Sequence, residues 1–148
     1  HAHMLFTRII PLDRYNWELC LNIRLSPEQE AYIPPVLYSL AQAKFEKLHP
    51  FGIEHGSEIV GLIMYGQFGG ICWISRIMLD QDHQRKGIGS KALQQLLDQL
   101  QLKFTCKEIR TSYTRNNLGA ARFFENMGFK EMENALEDEI VAVYQPRM

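Results

Sequence analysis

Three cysteines in 148 residues are too few and too scattered for a disulfide framework. Cys20, Cys72 and Cys106 form no Cys-x-x-Cys pair, and an odd, unpatterned set points to reduced thiols in a cytoplasmic setting. No metal is expected. Neither charge is in excess: 16 Lys+Arg against 17 Asp+Glu leave a net charge of −1. That balance gives no electrostatic case for a nucleic acid or a membrane surface as partner. No apolar run reaches the length of a membrane-spanning helix, and no secretory signal is recognisable. Repeats, linkers and low-complexity segments are missing as well. His1-Ala2-His3 ahead of Met4 reads as a tag remnant and is set aside. The remaining residues 4–148 are expected to form a single domain, long enough to bury a core without staples.

What the chain does contain is a glycine turn at an informative place. Trp73-Ile74-Ser75-Arg76-Ile77-Met78-Leu79 alternates as a strand does, and Ile88, Ala92, Leu93, Leu96, Leu97 and Leu100 recur as one helix face. Between them lies Gln84-Arg85-Lys86-Gly87-Ile88-Gly89, followed by Ser90. A glycine turn between strand and helix leaves backbone N–H groups free at the helix start, where the helix dipole also favours an anion, commonly a phosphate. The spacing is not that of a Walker A loop, and two glycines fall short of the dinucleotide fingerprint.

The remaining elements read as mixed α/β (α+β). Leu5–Ile10 is expected as a strand ended by Pro11. Asp13 would cap a helix running to about Ile23, with Trp17, Cys20 and Leu21 on one face. Ser26-Pro27-Glu28-Gln29 reads as a capped helix start. After Pro34-Pro35 a further helix runs to about Lys47. Residues 51–54 and 58–68 read as paired strands, and Gly69-Gly70 as the turn into the strand ending at Leu79. Residues 108–113 form a strand, 118–127 a helix ended by Gly128, and 129–132 and 140–145 two closing strands. The order gives an antiparallel meander followed by a strand–helix–strand crossover. Glu137-Asp138-Glu139 reads as a solvated turn, and His83 as a surface histidine.

The pattern Gln84-x-x-Gly87-x-Gly89 resembles the acyl-CoA pyrophosphate loop of the GNAT superfamily of N-acyltransferases. Downstream, Asn117, Ala120, Gly128 and Phe129 match the second signature of that superfamily, Asn-x-x-Ala-x-x-x-Tyr-x-x-x-Gly-Phe, with Phe124 at the tyrosine position. Upstream, Asn16-Trp17-Glu18, Ser26-Pro27-Glu28-Gln29-Glu30 and Tyr38-Ser39-Leu40-Ala41-Gln42-Ala43 resemble the amino-terminal half of bacterial diamine/polyamine (spermidine/spermine-type) acetyltransferases. The resemblance spans Leu5 to Tyr144. It implies a mostly antiparallel central sheet flanked by helices, with acetyl-CoA as cofactor and direct transfer of its acetyl group to a primary amine of a small molecule.

By the same resemblance, Gln84 and the backbone of Arg85, Lys86, Gly87, Ile88, Gly89 and Ser90 would cradle the pyrophosphate. Ile77, Met78 and Leu79 would offer backbone to the pantetheine arm. Asn117 reads equally as a cofactor contact and as a helix cap, and Phe124 would lie near the sulfur. The acceptor is expected between Glu28, Glu30 and Tyr32 on one side and Trp73 and Ser75 on the other, although helix glutamates are more commonly solvated. Phe124 lacks the hydroxyl that usually protonates the leaving thiolate. Tyr113 is the nearest tyrosine by topology, weighed against its plain reading as a core aromatic, and water is the other candidate acid. This departure keeps open a non-catalytic acyl-CoA-binding module. A peptide or protein N-acetyltransferase is a third reading. Sequence leaves a homodimer open.

Overall fold

The structure, a computed structural model, describes residues 5–133 and 138–146. The tag reading of residues 1–3 and the Glu137 part of the acidic run lie outside them. Seven strands form one sheet in the order β1-β2-β3-β4-β5-β7-β6. They are β1 (Thr7–Pro11), β2 (His49–His55), β3 (Glu58–Phe68), β4 (Ile71–Leu79), β5 (Glu108–Thr114), β6 (Phe129–Glu131) and β7 (Glu139–Tyr144). Every neighbouring pair is antiparallel except β4 and β5. That parallel pair is joined by helix α3 (Ile88–Gln101), which is the crossover expected from the sequence.

Each face of the sheet buries its own core. The α3 stripe Ile88, Ala92, Leu93, Leu96, Leu97 and Leu100 is fully buried with strand residues such as Ile53, Ile63, Ile74 and Ile109. Burying one such leucine contributes roughly 1.5–3 kcal/mol. Helix α4 (Leu118–Asn126) adds Phe124 to that core. On the other face, the short helix α1 (Pro27–Glu30) leads into α2 (Val36–Phe45). There Cys20, Ile23, Val36, Ala43, Leu62, Met64 and Met78 pack together.

Two expectations need correction. The segment from Asp13 is not an α-helix. Asp13 Oδ1 accepts from the Tyr15 and Asn16 amides at 2.8 and 3.1 Å, which closes a turn, and a 3-10 helix follows over Trp17–Asn22. Local side-chain bonds of this kind compete with helix. Only Cys20 and Ile23 of the segment are buried, and Leu21 is exposed. The helix expected to reach Lys47 ends at Phe45, because Lys47 turns left-handed (φ 56°) and Leu48 N–H bonds back to Ala43 C=O at 2.9 Å.

Candidate active site

The site begins with a bulge. Met64 opposes Arg76 and Tyr65 opposes Ile74, so Ser75 is an extra residue in β4. Its hydroxyl donates to Met64 C=O at 3.3 Å. A bulge bends its strand and increases the local twist. The parallel pairing of β4 with β5 stops at the adjacent residue, with Ile74 opposite Thr111. Beyond that point β4 pairs only with β3, while β5 pairs with β7. The two strands therefore fork, and the β5-facing backbone of Ser75–Leu79 has no strand partner among the described residues. The vertex is held by the fully buried Thr111, whose hydroxyl donates to Ile74 C=O at 3.0 Å.

The fork opens into a cleft of about 1030 Å³. The start of α3 contributes to its wall through Gly89. Gly87 is the N-cap, with φ +79° and no side chain to cap the helix. The first helical amides, those of Ile88, Gly89 and Ser90, therefore lack intrahelical partners, as any helix start must. Arg85 is also left-handed, with φ +62°. Successive amides turned in this way form a concave nest for an anion. Gly89 sits against the neighbouring strand: a Cβ there would lie 3.3 Å from Leu79 Cδ1 and 3.8 Å from Phe123.

The approach to the loop is pinned by Asp80, which is buried. Its carboxylate accepts from the Arg24 amide at 2.8 Å and the Asp82 amide at 3.1 Å, and it faces His83 Nδ1 at 3.3 Å. Burial opposes its ionisation. The two amides, His83 and the Arg24 guanidinium outweigh that cost and hold the carboxyl below its ordinary value. His83 is thus half-buried and paired. The Ser26–Gln29 capping box forms, with Gln29 N–H to Ser26 Oγ at 3.3 Å and Ser26 N–H to Gln29 Oε1 at 3.2 Å. Gln84 Nε2 also donates to Gln29 Oε1, tying α1 to the glycine loop.

The cleft brings together Glu28, Tyr32, Ser75, Ile77, Met78, Leu79, Gln84, Arg85, Gly89, Tyr113, Asn117 and Phe124. Glu30, Trp73, Lys86, Gly87, Ile88 and Ser90 do not line it. Ile88 sends its side chain into the core, so only its backbone is available to the loop. Trp73 has the Arg110 guanidinium 5.7 Å from its ring centroid. Asn117 caps α4 through Ala120 N–H at 3.1 Å and also lines the cleft. Glu139, read from sequence as part of a solvated run, opens β7 and lines the cleft. Arg76 carries no motif signal in the sequence. It lines the cleft, yet its guanidinium donates to Ser39 Oγ and Gln42 Oε1 of α2 at 3.0 and 2.7 Å. Burial lowers its pKa from the ordinary value.

Phe124 stacks parallel to Tyr113 at 5.9 Å and meets Phe123 and Phe129 edge-on at 5.2 Å each. The Tyr113 hydroxyl donates to Glu131 Oε1 at 2.9 Å. Burial pushes its pKa up, and the bond to Glu131 and the charges of Glu131 and Glu125 push the same way. Its ring, not its proton, is turned toward Phe124. Among the described residues, no group of three or more His, Cys, Asp or Glu side chains could hold a metal ion, and no helix is long and apolar enough to cross a membrane.

Residues 16–129 match the acetyltransferase (GNAT) family. The spermine/spermidine N(1)-acetyltransferase of Bacillus subtilis (strain 168) is 32% identical over 119 residues, covering 74% of this chain and 78% of that protein. A GNAT family acetyltransferase from Elizabethkingia anophelis, solved with acetyl-CoA bound, superposes with a TM-score of 0.72 at 16% identity, covering 95% of this chain and 98% of that one. The PaiA N-acetyltransferase of Thermoplasma acidophilum, solved in complex with coenzyme A, gives 0.71 at 17% identity, covering 95% and 99%.

Proposed function

This chain belongs to the GNAT acetyltransferase family, and on that premise we propose that it acetylates a primary amine of a polyamine, using acetyl-CoA. One observation carries the cofactor half of this reading. The β4 edge over Ser75–Leu79, without a strand partner among the described residues, ends at Leu79, against which Gly89 of the open α3 N-terminus packs. An amide-bearing arm ending in a pyrophosphate needs those two features side by side. The β4 backbone would hydrogen-bond the arm as a further strand would. The amides of Ile88, Gly89 and Ser90 would take the phosphates, with Arg85 adding charge from the cleft wall.

Acetyl-CoA supplies an activated thioester: the amine nitrogen bonds the acetyl carbon as the carbon–sulfur bond breaks, nitrogen gives up a proton and sulfur takes one. The chain's part is to hold, to dry and to steer. An alkylammonium with a pKa near about 10.4 is mostly protonated at neutral pH, so it must lose a proton on entry. The aromatic and aliphatic surface of Tyr32, Ile33 and Phe123 in the cleft lowers its pKa by desolvation. Glu28 and Glu139, both in the cleft wall, would pair a second ammonium of the same molecule. Phe124 has no proton to give, and the Tyr113 hydroxyl is bonded to Glu131. We therefore assign the proton passed to sulfur to a water molecule.

The support for a polyamine is the likeness to the Bacillus enzyme together with acidic and aromatic side chains in one cleft. A thiol-release assay with acetyl-CoA tests it against spermidine, amino acids and short peptides. Spermidine should give the highest kcat/KM. A preference for peptides would move the acceptor to a protein, and no turnover with any amine would leave a non-catalytic acyl-CoA-binding module.

A further inference from the structure

A second cavity of about 640 Å³ lies on the opposite side of α2 from its contacts with Arg76. It shares no lining residue with the cleft. Its floor is apolar, built from Leu12, Trp17, Leu37, Leu40 and Leu48 with neighbouring small residues. Its charged lining is one-sided. Arg14, Lys44 and Lys47 are cationic, and Asp13 is the single acid among the described residues that line it. Asp13 Oδ1 already accepts from two backbone amides. Neither lysine makes an ion pair among the described residues.

Lys47 carries a second signal. It holds the left-handed position after α2, where φ is +56°. Glycine fills that position without steric cost, whereas a lysine there is strained. At that position Lys47 lines the cavity together with two more cations, Arg14 and Lys44.

We propose that this cavity binds a free alkyl carboxylate of about the length of decanoate, its chain against Trp17, Leu37 and Leu40 and its carboxylate between Lys44, Lys47 and Arg14. The volume lies within the roughly 300–1,000 Å³ usual for small-molecule sites, which combine an apolar lining with a few placed polar groups. The site is independent of acetyl transfer.

Trp17 is a built-in reporter. Its fluorescence, measured in a Trp73→Phe background, is followed while decanoate, decanol or decylammonium is added below the micellar concentration. Decanoate should saturate the signal with an affinity at least ten-fold above the other two. Saturating acetyl-CoA should leave that affinity unchanged. Lys44→Glu with Lys47→Glu should weaken decanoate at least ten-fold. Lys47→Gly should also weaken it while raising the melting temperature by about 2–4 °C, so that lost binding is separated from lost fold. Equal affinity for all three amphiphiles, displacement of decanoate by acetyl-CoA, or unchanged affinity in the folded double variant would overturn the proposal.

Discussion

The Thr111 hydroxyl donates to the Ile74 carbonyl at 3.0 Å, across the last residue pair that β4 and β5 share. One buried hydroxyl thus closes the vertex of the fork. Thr111→Val keeps the shape and removes the donor. It should cost about 1–2 kcal/mol of stability and raise KM for acetyl-CoA several-fold, with less effect on kcat. Thermal unfolding and steady-state kinetics check both numbers; an unchanged KM would show that the vertex does not set the cleft.

Asp80 sets a pH limit on the segment leading to the glycine loop. Its folded pKa is depressed from the ordinary 3.8, so its stabilisation is present above that value and is lost as pH falls through the folded one. Wild-type stability should therefore decline as pH drops below about 3.8, as the unfolded chain takes up a proton that the folded one resists. Asp80→Asn should lower stability at neutral pH and flatten this acid slope. Denaturant titrations across the range read it directly, and an unaltered slope would contradict the assignment.

Tyr113 gives the opposite sign. Its phenol is raised above its ordinary value, so the corresponding stability is complete below about pH 10 and is lost as pH climbs. Tyr113→Phe should remove that alkaline slope. Because the hydroxyl is held by Glu131, the same variant should keep kcat within about two-fold at neutral pH, a margin under about 0.5 kcal/mol. A hundred-fold loss of kcat in a folded protein would restore Tyr113 as the acid.

Much of this site was legible in the sequence because it depends on local chemistry. Gly87 and Gly89 between an alternating strand and a helical stripe gave the loop. Ser26 and Gln29 gave the capping box, and the crossover followed from element order. What sequence did not give was the bulge at Ser75. Simple alternation puts Met78 on the face of Cys72 and Ile74, but the extra residue shifts the phase. Ile77 and Leu79 pack against the core of Cys72 and Ile74, and Met78 enters the opposite core. Trp73 could not be placed from alternation, since its neighbour Arg110 comes from β5. Glu139 was hidden for a related reason: charge run and cleft wall look alike until β7 is paired to Thr114.

The acceptor reading separates glutamates that sequence treats alike. Glu28 and Glu139 line the cleft and Glu30 does not. Partly exposed ion pairs contribute only about 0–1 kcal/mol each. Glu28→Gln and Glu139→Gln should each raise KM for spermidine a few-fold, their combination should do more, and Glu30→Gln should change it little. A larger effect from Glu30 than from Glu28 would reject this placement.

The most direct measurement is calorimetric titration of acetyl-CoA into wild-type and Gly89→Val protein, with thermal unfolding as the control for fold. Valine at this position places its side chain against Leu79 and Phe123, between the β4 edge and the first amides of α3. Wild-type protein should show saturable one-to-one binding, and the folded variant at least ten-fold weaker binding. Equal affinity in a folded Gly89→Val protein would contradict the claim that the fork and the glycine loop hold the cofactor.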